Sequence, residues 1–164
     1  MKSVLGLSVG VGLFLASSLG LLAQQEVSPQ QGAEAENMAM APDLLILDAA
    51  DVSIEEYLWK NRLIVVFANS DLDPNFREQL ELLEERPNDL IARDVIVVTD
   101  TDPANPSAVR LDLRPRAFGL VFIDKDGVVK LRKPNPWSVR EISRSIDSTE
   151  LRQQELRDAR EAAQ

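Results

Sequence analysis

The stretch RLIVVFA at residues 62–68 is apolar at almost every position. Such a run is typical of a strand covered on both faces of a sheet, because no position needs to face water. The run VIVV at residues 95–98 predicts a second strand of the same kind. Between them, Asp73 suits a helix N-cap and Pro74 suits the first helical position. A buried strand, a helix and another buried strand predict a parallel βαβ unit.

The flanking sequence extends this unit in both directions. The other predicted elements are a strand at residues 44–47, a short helix capped by Asp51, helical turns within residues 107–113, strands at residues 118–123 and 128–131, and a helix at residues 136–146. Asp124-Lys125-Asp126-Gly127 separates the last two strands, and Asp-Gly between apolar runs is a strong hairpin signal.

This order of elements predicts an α/β fold. The fold would be a three-layer sandwich around a mixed sheet, with two parallel βα units and a C-terminal β-hairpin plus helix. That connectivity is similar to the connectivity of thioredoxin. Other α/β sandwiches share the same order of elements, so the order alone leaves them as alternatives.

The first 23 residues have the pattern of a secretory signal peptide. Lys2 precedes a long apolar run that ends with Ala23, a small residue at the expected cleavage point. We therefore expect an exported protein, located in the periplasm or outside the cell. The alternative is a membrane tether through an uncleaved segment, because the run is long enough to span a bilayer.

Shifts in composition divide the rest of the chain. Residues 24–41 are rich in Gln, Ser, Pro, Gly, Ala and Glu, which predicts a flexible linker. Residues 42–147 contain the predicted thioredoxin-like domain. Residues 148–164 predict a charged C-terminal helix or tail, either solvated or docked on a partner, because its apolar stripe is thin.

The chain contains neither cysteine nor histidine, and it carries 27 acidic against 18 basic residues. Without cysteine, disulfides, thiol nucleophiles and thiolate metal sites are excluded, so thiol oxidoreductase and peroxidase activities are excluded too. Without histidine, the usual general base near neutral pH is absent. The net charge of −9 disfavours nucleic acid, because phosphate is bound by Lys and Arg.

Several segments together resemble the P-DUDES family, a domain of unknown function also called DUF4174. They are WKNRLIVVFA at residues 59–68, QL at 79–80, ARDVIVV at 92–98, DKDGVVKLR at 124–132 and ID at 146–147. The similarity spans residues 44–157. It implies a thioredoxin- or peroxiredoxin-like fold, as in exported bacterial proteins and some vertebrate extracellular-matrix proteins, and it implies no activity. Members often carry a Met-Pro-Met-Arg-like segment after Ile-Asp, where residues 148–152 of this chain read STELR.

The segment after the first buried strand is where a thioredoxin carries its two redox cysteines. Here residues 69–74 read NSDLDP. The next buried strand is also followed by acidic residues. Carboxyl ends of neighbouring parallel strands meet at one edge of a sheet, and ligands of open α/β sheets bind at that edge. The sequence therefore predicts a binding edge formed by Ser70, Asp71, Asp73, Asp100 and Asp102.

Two other functions would use the same edge. A carboxylate-based hydrolase or transferase would need Asp71, Asp73 and Asp100 around one substrate, in a pocket that joins them. A Ca²⁺-binding domain would gather oxygen ligands from these residues and Asp102. Residues 124–127 also resemble part of a calcium loop, but they lack its first Asp and its distal Glu, which favours the hairpin.

Basic and aromatic residues form two further candidate surfaces. The most basic part of the chain comprises Arg110, Arg114, Arg116, Lys130, Arg132 and Lys133. We expect these cations to pair with the domain's own carboxylates, and the alternative is capture of an anion or an acidic partner. The aromatic residues Tyr57, Trp59 and Trp137 are expected to anchor the core or its margin, and the alternative is a binding surface.

These observations favour an exported, monomeric, non-catalytic binding module. We predict no catalytic residue, no cofactor and no metal ligand, and the partner is an unidentified protein or ligand. No nucleic acid partner is expected, and no stable membrane span is expected if the signal peptide is cleaved.

Overall fold

A computed structural model describes residues 43–164, so the predicted signal peptide and linker lie outside the described residues. The strands are β1 (Ile46–Asp48), β2 (Arg62–Phe67), β3 (Val95–Asp100), β4 (Gly119–Ile123) and β5 (Val129–Lys133). The α-helices are α1 (Pro74–Glu84), α2 (Pro87–Ile91), α3 (Ala108–Leu113), α4 (Val139–Asp147) and α5 (Glu150–Ala162). Two 3₁₀ helices, Ala49–Asp51 and Ile54–Tyr57, connect β1 to β2. None of these helices is long and apolar enough to cross a membrane.

The five strands form one mixed sheet in the order β1-β3-β2-β4-β5. β3 is parallel to both of its neighbours, β1 and β2. β4 runs antiparallel to β2, and β5 runs antiparallel to β4. Two parallel units followed by an antiparallel hairpin confirm the predicted thioredoxin-like topology.

The strand register fixes which residues meet at each end of the sheet. Phe67 of β2 pairs with Asp100 of β3 on one side and with Gly119 of β4 on the other. Lys133 of β5 pairs with Leu120, so it lies at the same end, which we call the carboxyl end of the sheet. The opposite end, where β2 begins with Arg62, is called the amino end.

The core lies on both faces of the sheet. On one face, α1 and α4 cover the strands with side chains such as Phe76, Leu83 and Ile142. On the other face, α3 and the first 3₁₀ helix contribute Val109 and Ala49, among others. Every residue of β2 is buried, as its apolar run predicts, and the result is a three-layer α/β/α sandwich.

Local capping signals explain where several elements begin. The Asp73 carboxylate accepts backbone N–H bonds from Asn75 and Phe76 at the start of α1. Ser138 and Glu141 form a capping box at the start of α4, so this helix begins after the predicted position. Gly127 has φ of 77°, which suits glycine in a tight turn, and the hairpin is confirmed.

Two further details of the helices differ from the prediction. Asp51 does not cap a helix, because Asp48 caps a 3₁₀ helix that ends at Asp51. The helix α2 is an additional element that the sequence did not predict, and Pro87 occupies its first turn. Proline supports a new helix at that position, since its fixed φ is helical and no N–H is needed there.

The aromatic residues separate into two environments. Tyr57 and Trp137 are half-buried against the core, as expected. Trp59 is 69% exposed, so the expectation of a core anchor is wrong for this residue. Its backbone N–H donates to the Lys125 carbonyl over 2.7 Å, and its φ is 62°. This tight turn before β2 leaves the indole in solvent.

Candidate binding site at the carboxyl end of the sheet

Asp100, the last residue of β3, is buried against Arg110 of α3. Arg110 Nε donates to Asp100 Oδ1 over 2.8 Å, and Nη2 donates to the Ala68 carbonyl over 2.7 Å. Ser107 Oγ donates to Asp100 Oδ2 over 2.7 Å. The guanidinium carbon also lies 5.4 Å from the centroid of the Phe67 ring. Asp100 therefore holds α3 against the ends of β2 and β3.

Asp100 and Asp102 line a pocket of about 410 Å³ that also includes Asp48 and Asp51. Asp48 accepts the backbone N–H of residue 50 over 2.8 Å. The side-chain amide of Asn105 donates to Asp102 over 2.9 Å, and this bond lowers the pKa of the Asp102 carboxyl. Among residues 43–164, no three acidic side chains are placed to share a metal ion. The calcium alternative therefore lacks a cluster of three acidic ligands in this part of the chain.

The three predicted edge residues that follow β2 have local roles. Asp73 caps α1, as described above. Ser70 Oγ accepts the backbone N–H of Leu72 over 3.1 Å. Asp71 is exposed, and its carbonyl accepts a bond from Arg77 Nε over 3.2 Å. These contacts shape the turn that leads from β2 into α1.

The enzyme alternative requires one pocket that joins Asp71, Asp73 and Asp100. Asp100 lines the pocket of about 410 Å³ described above, whereas Asp73 lines a different concavity. Asp71 lines neither of the two. The predicted carboxylates thus lie at the same end of the sheet without surrounding a common substrate position.

The second concavity, which we call the basic groove, has a volume of about 530 Å³ and opens to solvent. Residues 114–118, which connect α3 to β4, and residues 119–121 of β4 form one side. Residues 132–134 at the end of β5 form the other side, and Asp73 and Asn75 contribute from the start of α1. Its apolar lining includes the buried residues Phe118, Leu120 and Val121. The groove therefore combines an apolar base with polar walls.

Four cations line the basic groove: Arg114, Arg116, Arg132 and Lys133. Among its described lining residues, Asp73 is the only acidic one, and its carboxylate is engaged by α1. None of the four cations forms an ion pair with a carboxylate of residues 43–164. The groove is thus locally positive in a protein whose net charge is −9.

The surroundings of these cations keep them at the groove. Arg132 Nη1 donates to the Leu113 carbonyl over 2.9 Å. Lys133 Nζ lies 4.1 Å from the centroid of the Trp137 ring. Arg114 ends α3 in the left-handed region, with φ of 50°, and turns the chain from the helix towards the groove. These features position three of the four cations, and none of the three forms an ion pair with a carboxylate of residues 43–164.

The expectation that the basic residues pair with the domain's own carboxylates is confirmed for two of the six. Arg110 binds Asp100, and Lys130 Nζ lies 2.9 Å from Asp126 Oδ2. The expectation is wrong for the four residues of the groove. Among the described residues, the one carboxylate that lines the groove with them belongs to Asp73, and it already caps α1.

A contrasting cluster lies at the amino end of the sheet. Arg62 Nε lies 2.9 Å from Asp124 Oδ1, and both side chains are completely buried. Arg62 Nη1 donates to the Arg93 carbonyl over 3.0 Å, and Nη2 lies 3.1 Å from Glu155 Oε1. Arg93 in turn binds both carboxylate oxygens of Asp147, over 2.9 and 2.7 Å. We call these residues, with Lys125 and Arg152, the amino-end cluster.

Glu155 of α5 connects three cations of the amino-end cluster. Besides Arg62, it binds Lys125 Nζ over 2.9 Å and Arg152 Nη1 over 3.0 Å. Burial opposes ionisation of this carboxyl, but hydrogen bonds from Lys125, Arg62 and Arg152 outweigh burial and lower the pKa to about 2. The charged helix predicted at the end of the chain therefore docks on the domain through Glu155.

Sequence reasoning did not find the amino-end cluster. Its members are far apart in the chain, and Asp124 is explained locally as part of a hairpin turn. The available signal was an arginine at the first position of a strand whose other residues are all apolar. Such a residue requires a buried partner, because a charge without one is costly in the interior.

Comparison with solved structures supports the fold. The reduced 2-Cys peroxiredoxin of Plasmodium vivax is similar with a TM-score of 0.50 and 16% identity, covering 59% of this chain and 82% of that chain. A chloroplastic thioredoxin z has a TM-score of 0.49 and 21% identity, covering 67% of this chain and 99% of that chain. At such low identity, the likeness concerns the fold alone.

Sequence comparison identifies the family. Coiled-coil domain-containing protein 80 of Danio rerio is 30% identical over 138 residues, covering 63% of this chain. The chain corresponds to 16% of that protein's length, so it matches a small part of a much larger relative. The sequence profile of a domain of unknown function, DUF4174, matches residues 53–155, which is more than half of the chain. The chain therefore belongs to the DUF4174 family, as its resemblance predicts.

Proposed function

We propose that this protein is an exported binding module that catalyses no reaction and holds its partner in the basic groove. One observation carries the proposal: four cations line an open groove, and none has a carboxylate partner among residues 43–164. Exposed cations elsewhere in the described chain, such as Arg140, Arg144 and Arg157, also lack a carboxylate partner, so the concave, partly apolar setting is what distinguishes the groove cations. Charges left without such partners at a concave, partly apolar surface are typical of a ligand site.

The position of the groove favours binding over catalysis. Asp73 and Asn75 at the start of α1 line it, so it adjoins the segment where a thioredoxin carries its cysteines. This chain has no thiol and no imidazole at any position. Of the neighbouring carboxylates, Asp73 caps α1 and Asp100 is bound to Arg110. The groove therefore offers charge and apolar surface without a thiol nucleophile or an imidazole base.

Export is supported by the pattern of residues 1–23. The test is to fractionate cells that produce the full chain and to determine the intact mass of the protein. We expect a chain that begins at Gln24, in the periplasmic or extracellular fraction. A chain that keeps residues 1–23 in the membrane fraction would instead support the tether.

Binding is tested with a photo-crosslinking amino acid introduced into the full chain in living cells. Ala117 is exposed and lines the groove, whereas Ala92 is exposed at the amino end of the sheet and serves as the matched control. We expect a discrete adduct from position 117 and none from position 92. The adduct should weaken when Arg116→Ser removes one groove charge.

Two outcomes would contradict the proposal. Adducts of equal yield from both positions would show nonspecific proximity. A position-117 adduct that survives the combined Arg114→Ser and Arg116→Ser substitutions would show that the charges play no part.

A further inference from the structure

We infer that the occupant of the basic groove is an acidic peptide segment, bound in an extended conformation along the end of β5. The inference rests on the proposed binding function and adds the class of the ligand. Three features of the groove support it: the number and type of its cations, the free edge of β5, and the apolar surface between the charges.

The four cations of the groove favour a ligand that carries several anionic groups. Three of the four are arginines, whose planar guanidinium groups bind carboxylates through paired hydrogen bonds. They project from two separate segments, with Arg114 and Arg116 on one and Arg132 on the other. A chain that carries several carboxylates can engage both segments at once.

The edge of the sheet adds a recognition element that a small anion would not use. β5 is the outermost strand, and no other strand of residues 43–164 pairs with its outer side. The last two residues of this strand, Arg132 and Lys133, line the groove. A peptide can add to such an edge through backbone hydrogen bonds, while pockets and charges beside the edge select its side chains.

The surface between the cations is apolar. Pro115, Ala117 and Pro134 line the groove between its basic residues. Phe118 forms part of the base and is largely buried. An apolar side chain between two acidic residues of the ligand would therefore find a contact. This arrangement favours acidic peptides with apolar positions over purely polyanionic chains.

The test measures fluorescence anisotropy with a labelled peptide of sequence Glu-Leu-Asp-Glu-Val-Asp-Glu and the exported chain. At about 50 mM salt we expect saturable binding that weakens as salt rises, because the charges are solvent-exposed. Arg116→Ser should weaken binding about tenfold, as expected for loss of one charge-assisted contact. Arg116 forms no ion pair with a carboxylate of residues 43–164, so the variant should fold normally, which its melting temperature checks.

Arg160→Ser is the matched control, because it removes the same charge from an exposed position in the last turn of α5, outside the groove. It should bind the peptide as the parent chain does. Equal loss in both variants would overturn the inference, since the effect would then depend on net charge.

Two further controls define the ligand class. The same peptide with each acidic residue replaced by its amide should not bind, and equal binding would overturn the inference. Inorganic phosphate that displaces the peptide at equal concentration would also overturn it, by showing a small-anion site. If the peptide fails while the position-117 adduct persists and depends on Arg116, the ligand class is wrong and the binding function stands.

Discussion

Two groups of basic side chains lie at opposite ends of the same sheet, and they differ in whether carboxylates neutralise them. In the amino-end cluster, Arg62 is buried with Asp124, and Glu155 joins it to Lys125 and Arg152. In the basic groove, four cations face solvent with no carboxylate of residues 43–164 paired to them.

The difference separates charge that serves folding from charge that is available for binding. A buried cation must have partners, because desolvation is otherwise uncompensated. An exposed cation gains little stability from a partner, so its pairing is optional. Removing charge from the amino-end cluster should therefore destabilise the domain, whereas removing charge from the groove should not.

The largest expected effect is on the buried pair. Arg62→Met leaves Asp124 buried without a counter-charge and should lower the free energy of unfolding by about 3–5 kcal/mol. Urea denaturation of the protein measures the loss. The double variant Arg62→Met with Asp124→Leu removes both charges and should recover much of it. A double variant as unstable as Arg62→Met would show that packing, not charge, dominates at this position.

A smaller effect is expected at Glu155, where the stability should depend on pH. The pKa of this carboxyl is lowered from its ordinary value of 4.5 to about 2 in the folded protein, so the ionised form is stabilised. This stability is fully present above about pH 5 and is lost as pH falls towards 2. Glu155→Gln should lower the free energy of unfolding at neutral pH by about 2 kcal/mol, allowing for partial solvent screening.

The measurement is urea denaturation of both chains across this pH range. The stability difference between the parent chain and Glu155→Gln should shrink as pH falls. Glu161→Gln, at an exposed position of the same helix, should leave stability unchanged at every pH. If the stability difference between the parent chain and Glu155→Gln stays constant with pH, the result would contradict a role for the carboxylate charge.

Gly127 and Gly119 lie at opposite ends of the sheet, so alanine substitutions at these positions compare the backbone of the two ends. At Gly127, φ is 77° and a Cβ would lie 2.7 Å from Leu58 Cδ2, so Gly127→Ala should cost about 1 kcal/mol or more. At Gly119, which lines the groove, the nearest atom to a Cβ is the Lys133 carbonyl oxygen at 3.8 Å. Gly119→Ala should change stability by less than about 0.5 kcal/mol. Equal melting temperatures for the two variants would contradict this contrast.

The smallest effect on stability is expected in the groove itself. Arg116→Ser should change the free energy of unfolding by less than about 0.5 kcal/mol, because no carboxylate partner is lost. The combined Arg114→Ser and Arg116→Ser variant should show a similarly small change in the free energy of unfolding. A loss as large as that of Glu155→Gln would show that the groove cations have a folding role.

The fold was predictable because its signals are local. The buried strand at residues 62–67 is a run of apolar side chains after its first arginine, and Asp73 with Pro74 marks the start of α1. The hairpin turn depends on Gly127, which the sequence identifies directly. These signals need only neighbouring residues, so periodicity and turn chemistry suffice.

The two charge clusters were not predictable in the same way, because they depend on which distant segments meet. Asp124 binds Arg62, although it reads as a turn residue in its local context. At the carboxyl end, the sequence placed the aspartates at one end of the sheet, but it did not predict the groove that lies beside them. Asp100 is neutralised by Arg110, a contact between a strand end and a helix that composition does not reveal.

The two tryptophans place one intrinsic fluorophore at each end of the sheet. The Trp59 backbone N–H binds the Lys125 carbonyl at the amino end, and its indole is in solvent. Trp137 is half-buried beneath Lys133, a residue of the groove. Because the chain has no other tryptophan, Trp59→Phe would leave an intrinsic fluorophore beside the groove. Occupation of the groove would then register as a change in indole emission, without any external label.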